Sequence, residues 1–135
     1  RRWGPVLRTG AALSGISAMM KQYDSGVQGE KLAEDWLVQQ GLKPVARRYR
    51  GQDGEIDLIM LDADTIVFIE VKYRPGARKG DGLLAVTPAK QRRMTHAALA
   101  FLLEREWMER AVRFDVIEIT KDGILHIPNA FYSSY

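Results

Sequence analysis

Hydrophobic and polar positions change their spacing several times along this chain, and the changes mark out its elements. In "SGVQGEKLAEDWLVQQG", residues 25–41, small or apolar residues recur at Gly29, Ala33, Trp36 and Leu37, with Gln40 the one polar exception. That spacing predicts an amphipathic helix, with Ser25 placed to cap it and Gly41 to end it. "LKPVARRYR" alternates and is rich in strand-forming residues, so it reads as a strand whose outward positions are mostly arginine. Residues 54–61 and 65–73 are two apolar strands joined through the short polar turn "DADT", a hairpin. "PGARKGDG" interrupts the pattern with turn-forming and charged residues and predicts a mobile basic loop. "TPAKQRRMTHAALAFLLEREWMER" then returns to helical spacing, with Met94, Ala97, Ala98, Phe101 and Leu102 on one stripe, Thr87 as cap and Pro88 at the first helical position. "AVRFDVIEIT" and "ILHIPNAF" close the chain as two strands around "KDG".

The order is therefore helix, three strands, helix, two strands. A long helix between the third and fourth strands lets them run parallel, so the economical fold is an α/β arrangement of the α+β kind: one mixed sheet with a helix packed on each side. Residues 25–135 form this single domain. Residues 1–24 break their apolar run with Arg8, Gly10 and Gly15, and read as a basic, flexible extension rather than a targeting segment.

Charges inside the hairpin are the feature that needs a reason. Glu55, Asp57, Glu70 and Lys72 sit within runs that are otherwise buried-strand sequence, where an unpaired charge costs several kcal/mol or more. Strand alternation puts Glu55 and Asp57 on one face, and Glu70 and Lys72 on one face. If Asp62 opposes Thr65 across the turn, Asp57 lies across from Glu70 and Glu55 from Lys72. Two carboxylates facing each other across a ladder repel, and a divalent cation removes the penalty. Mg²⁺ or Mn²⁺ takes hard oxygen ligands, for which Asp57, Glu70 and the backbone carbonyl of Val71 are the candidates. Lys72 is then placed to hold or deprotonate a metal-bound water, or to offset charge on a pentacovalent phosphate. Glu55 is available to pair with Lys72 or to accept a hydrogen bond at the hairpin's mouth.

Charge distribution extends this picture. The 135 residues carry a net charge of +3, yet residues 71–95 hold seven basic residues against the single acid Asp81, and residues 36–52 hold four against none. Local positive fields beside an acidic site suit a polyanion, so nucleic acid is the expected partner, DNA ahead of RNA. Arg47, Arg48, Arg50, Arg74, Arg78, Lys79, Arg92 and Arg93 are the expected phosphate grips, sequence-blind and salt-sensitive. With no cysteine, a disulfide framework and a thiolate metal site are excluded, and a cytoplasmic setting is expected. No apolar run reaches the ~20 residues of a membrane helix. His96 and His126 are too few and too separated to make a histidine metal site, and Trp36 and Trp107 read as packing residues rather than base-stacking platforms, as does Trp3.

"GEIDLI" followed by "VFIEVKYR", with "GEKLAEDWL", "KQRRM", "VRFDVIEI" and "HIPNAF", resembles the YraN-type family of small uncharacterised bacterial proteins. Through it the chain resembles the restriction-endonuclease-like PD-(D/E)XK superfamily, whose fold Holliday-junction resolvases share. The likeness runs from about residue 28 to residue 131. It implies an acid–Xaa–lysine strand, here Glu70, Val71 and Lys72, with Asp57 as the upstream metal-binding acid. It also implies a glutamate from the first helix, here Glu30, at the metal site, and a polar residue from the second helix, Lys90 or Gln91. Ile56 stands where proline often precedes the upstream acid. The function so implied is a Mg²⁺- or Mn²⁺-dependent endonuclease hydrolysing DNA, structure-specific in repair or recombination, and a homodimer would suit the cutting of two strands. The alternative is a non-catalytic nucleic-acid-binding or adaptor module that keeps the fold.

Overall fold

The computed structural model describes residues 8–10, 25–77 and 86–132. After strand β1 (Arg8–Gly10) come helix α1 (Ser25–Gln39), strands β2 (Lys43–Arg50), β3 (Glu55–Asp62) and β4 (Thr65–Arg74), helix α2 (Pro88–Arg105), and strands β5 (Val112–Thr120) and β6 (Gly123–Phe131). They form one sheet in the order β1-β6-β5-β4-β3-β2. From α1 onward this is the expected order of helix, three strands, helix and two strands in an α+β fold, and β4 and β5 are the expected parallel pair while their neighbours run antiparallel.

One strand was not foreseen. Arg8–Gly10, inside the stretch expected to lie outside the fold, pairs with β6 through Arg8↔His126 and Gly10↔Ile124. It covers a sheet edge that would otherwise present unpaired backbone groups. The rest of residues 1–24, Trp3 among them, lies outside the described residues. So does most of the expected basic loop, with Arg78 and Lys79.

The sheet separates two cores. On one face Met94, Ala97, Ala98, Phe101 and Leu102 of α2, the stripe read from the sequence, pack on Ile59, Ile66, Phe68, Phe114 and Val116. On the other, Leu32, Ala33, Trp36 and Leu37 of α1 pack on Leu58, Met60, Val67, Ile69 and Ile117. From Leu58 to Leu61 of β3 and from Ile66 to Ile69 of β4 alternate residues thus serve opposite cores, which is why both strands read as continuous apolar runs.

Helix ends follow local chemistry. The Thr87 hydroxyl accepts from the Lys90 amide, with Pro88 following. α1 closes with Gly41 at φ 100°, the Leu42 amide donating to the Leu37 carbonyl at 3.1 Å. α2 closes in the same way, Trp107 to Leu102 at 2.8 Å, but puts Glu106 in the left-handed position at φ 60°. The helix therefore stops short of the residues 106–110 that the sequence pattern joined to it. Trp107 instead packs edge-on to Phe101, between the guanidinium groups of Arg105 and Arg110. Among the described residues no helix is long and apolar enough to cross a membrane.

Candidate active site

The β3–β4 hairpin adopts the register expected from its turn, from Asp62↔Thr65 to Leu58↔Ile69. Beyond Leu58 the ladder changes: the Val71 amide donates to the Asp57 carboxylate at 2.8 Å in place of a backbone acceptor. The Asp57 and Glu70 carboxyl groups meet there, near enough to share a proton. Glu70 continues the Ile66–Phe68 face toward α2 and is only 3% exposed. It is not a residue on a solvated sheet surface.

Two ammonium groups reach Glu70 Oε2, Lys72 Nζ at 3.0 Å and Lys90 Nζ at 3.5 Å. Lys90 comes from the first turn of α2, so the second helix does contribute to the site. Gln91, the other candidate there, turns away and donates to the Val86 carbonyl at 3.1 Å. Glu70 Oε1 is buried and has no hydrogen-bond partner. Burial, then the charge of Glu70, push the Asp57 carboxyl up to about 7, with Glu30 adding to the effect and the Val71 amide opposing it.

Glu55 does not pair with Lys72. It lies opposite Arg50 in the ladder and meets it at 3.1 Å, while Lys72 is drawn to the nearer, more buried Glu70. Glu30 is brought to the site's edge by Gly29, where a Cβ would fall 2.6 Å from the Tyr73 Cβ. The missing side chain lets α1 approach β4 beside Lys72. Yet Glu30 bonds Arg48 Nε at 2.8 Å rather than joining the acid pair. Among the described residues no group of three or more histidine, aspartate or glutamate side chains could hold a metal ion.

Of the expected phosphate grips, Arg47, Arg48 and Arg50 are each held by a carboxylate: Glu34, Glu30 and Glu55. Arg92 and Arg93 are exposed on α2, and Arg74 ends β4.

Sequence reasoning missed Glu118, a wholly buried acid aligned with Lys72 on the neighbouring strand. The signal was present, since "VIEIT" sets a charge inside an apolar run just as "VFIEVK" does. It also missed a buried network on the α1 face. There Arg113 grips Asp115 through two bonds of 2.9 and 3.0 Å and reaches Asp62 at 3.0 Å. His126 meets the same carboxylate at 2.7 Å and the Asn129 amide donates to it at 2.9 Å. Burial acts to raise the Asp115 carboxyl, but His126 and Arg113 overcome it and hold the group below the usual carboxylate range.

The class of protein these features define is an α+β domain with a mixed sheet between two helices, carrying a buried carboxylate pair and a lysine where the central hairpin opens. The chain belongs to the uncharacterised protein family UPF0102, whose pattern matches residues 29–119. It is 44% identical over 114 residues to a UPF0102 protein of Saccharophagus degradans, covering 84% of this chain and 97% of that protein. It is also 44% identical over 114 residues to one of Geobacter metallireducens, covering 82% and 93% respectively.

Proposed function

We propose that this protein is a divalent-metal-dependent nuclease that hydrolyses phosphodiester bonds in DNA, acting on branched or flapped structures of repair and recombination. The observation that carries the reading is Glu70 Oε1, a buried carboxylate oxygen without a partner, beside an Asp57 carboxyl pushed up to about 7. Two hard-oxygen donors on rigid strands, one of them with an oxygen that neither Lys72 nor Lys90 takes, fit Mg²⁺ or Mn²⁺. Asp57, Glu70 and the Val71 carbonyl would hold the ion. When bound, it supplies an acidified water and neutralises charge on the phosphoryl oxygens.

The chain's own side chains do the rest. The Lys72 ammonium, held against Glu70, hydrogen-bonds the attacking water's oxygen and offsets the negative charge on the equatorial oxygens of the pentacovalent phosphate. Lys90, on the same carboxylate from the other side, keeps Glu70 directed at the site. Arg92, Arg93 and Arg74 contribute sequence-blind phosphate contacts.

Cleavage of labelled single-stranded, duplex, flapped and four-way-junction DNA with Mn²⁺, with Mg²⁺ and with EDTA tests the reading. Cutting is expected to require metal, Asp57 and Lys72, with Asp57→Asn still binding DNA; equal cutting by Asp57→Asn refutes the assignment. The second reading, a non-catalytic nucleic-acid-binding module, draws on the pairing of Arg47, Arg48 and Arg50 with carboxylates and on the acid pair standing as two. It prevails if the protein binds DNA in a salt-sensitive way while Mn²⁺ neither binds nor raises the melting temperature.

A further inference from the structure

Arg47 and Arg48 are consecutive residues of one strand, and alternation should send them to opposite faces. Instead both reach α1, Arg47 to Glu34 and Arg48 to Glu30, while Tyr49 turns to the other face and packs on Phe101. The break in alternation is at Arg48, whose backbone takes φ 49°. A left-handed conformation is unfavourable for an arginine and persists only where the surroundings require it.

The two ion pairs are built differently. Glu34 is buried and takes Arg47 through two bonds, a clasp between α1 and the edge strand. Glu30 takes Arg48 through a single contact, and the arginine side chain is half exposed. Arg48 also falls between the ladder pairs Arg47↔Leu58 and Tyr49↔Ile56, which makes Asp57 its cross-strand neighbour. After Glu30, its hydrogen-bonded partner, Glu55 and Asp57 are the acids that favour its charged form. Beside the pair lies an open hollow of about 330 Å³, lined by Glu30, Lys31, Glu34, Arg47, Arg48 and Leu58. There is room for the guanidinium to swing without disturbing the sheet.

We propose that Arg48 is the resident counter-ion of the acid site: it holds Glu30 away from Asp57 and Glu70 and competes with the divalent cation, which captures Glu30 as a further oxygen ligand only when the arginine moves out. The inference rests on the metal reading of Asp57 and Glu70. It explains why Glu30 stands close enough to act on Asp57 and yet is not gathered with the acid pair. It also gives the strained backbone at Arg48 a purpose, since an extended residue there would point toward the α2 face and leave Glu30 free. The released guanidinium would then be a mobile phosphate contact beside the metal.

Calorimetric titration of the full chain with Mn²⁺ at low salt tests this without reference to cleavage. Arg48→Asn suits the left-handed backbone and removes the guanidinium, its charge and its bond to Glu30 together. It is expected to bind Mn²⁺ roughly tenfold tighter than the parent, the size expected when one positive charge is withdrawn from beside a divalent ion in a water-facing site. Adding Glu30→Gln to Arg48→Asn should abolish that gain. Lys43→Gln, which removes an equal charge at the far end of β2, should leave the affinity as it was. An unchanged or weaker affinity in Arg48→Asn overturns the proposal while leaving the metal site in place. An equal gain from Lys43→Gln, or a gain that survives Glu30→Gln, overturns it as well, since general charge or another acid would then be responsible. Absence of Mn²⁺ binding in parent and variant alike overturns the metal reading itself, and the role of Arg48 with it.

Discussion

Replacing Asp57 by asparagine is expected to stabilise the metal-free protein at pH 8. Burial and the facing Glu70 carboxylate raise the Asp57 carboxyl from 3.8 to about 7 in the folded state. The folded protein thus holds this proton more tightly than the unfolded chain does. Below pH ~4 the carboxyl is protonated in both states and costs nothing; between pH ~4 and ~7 folding must work against ionisation, and above that the penalty is complete. At about 1.4 kcal/mol for each pH unit, the span corresponds to about 4 kcal/mol as an upper figure. Asp57 retains contact with solvent, and screening reduces this to about 2–3 kcal/mol. An asparagine preserves the acceptor for the Val71 amide, so the variant removes the charge and keeps the bond. Urea unfolding with EDTA at pH 5 and pH 8, at unchanged m-value, measures the difference. The variant should gain about 1 kcal/mol at pH 5, where somewhat over a third of the span has been crossed, and the full ~2–3 kcal/mol at pH 8, and millimolar Mn²⁺ should narrow the gap by stabilising the parent alone. A variant less stable than the parent at pH 8 in EDTA would show that Lys72 and Lys90 already satisfy both carboxylates, and the case for a cation site would go with it.

Three further outcomes follow from the packing. Glu106→Gly should stabilise by about 1 kcal/mol, because glycine relieves the left-handed position that closes α2; thermal unfolding measures it, and no gain would mean that the strain is absent. Gly29→Ala should cost about 1–3 kcal/mol and loosen α1, since the new Cβ falls 2.6 Å from Tyr73; faster amide exchange along 28–37 is the readout, and an unchanged stability contradicts the close approach. Arg113→Met should destabilise by about 3–5 kcal/mol, as it leaves Asp115 buried with the His126 contact but without its guanidinium. The parent, whose Asp115 carboxyl is held low, should lose that stability only as pH falls below the usual carboxylate range, which acid titration of unfolding can follow.

How much of this was legible beforehand differs from element to element. The strands of the hairpin, the two-residue turn between Asp62 and Thr65, and hence the meeting of Asp57 with Glu70 were readable, because a short turn and a period of two settle register from a few adjacent residues. The α2 stripe and its Thr87–Pro88 start were readable for the same reason. The partners of the charges were not. Lys72 had two acids within reach by register, and its pairing with Glu70 depends on which of them the sheet and α2 bury. Nothing in "ARRYR" marks a left-handed residue, since arginine is not a residue that favours it, yet that single φ sends Arg48 to Glu30 instead of across the sheet.

By itself, then, the sequence determined the elements, their order, the parallel return through α2 and the convergence of one acid pair, all of which follow from periodicity and short connections. Only the tertiary structure decided which ions meet, that Glu118 lies buried beside Lys72, that Asp115 collects Arg113, His126 and Asn129, and that Arg8–Gly10 completes the sheet edge. Some of those contacts join distant segments and others, such as Arg113 with Asp115, are close in the chain, but the choice among them rests on burial and side-chain reach, which exist only once the two cores have formed.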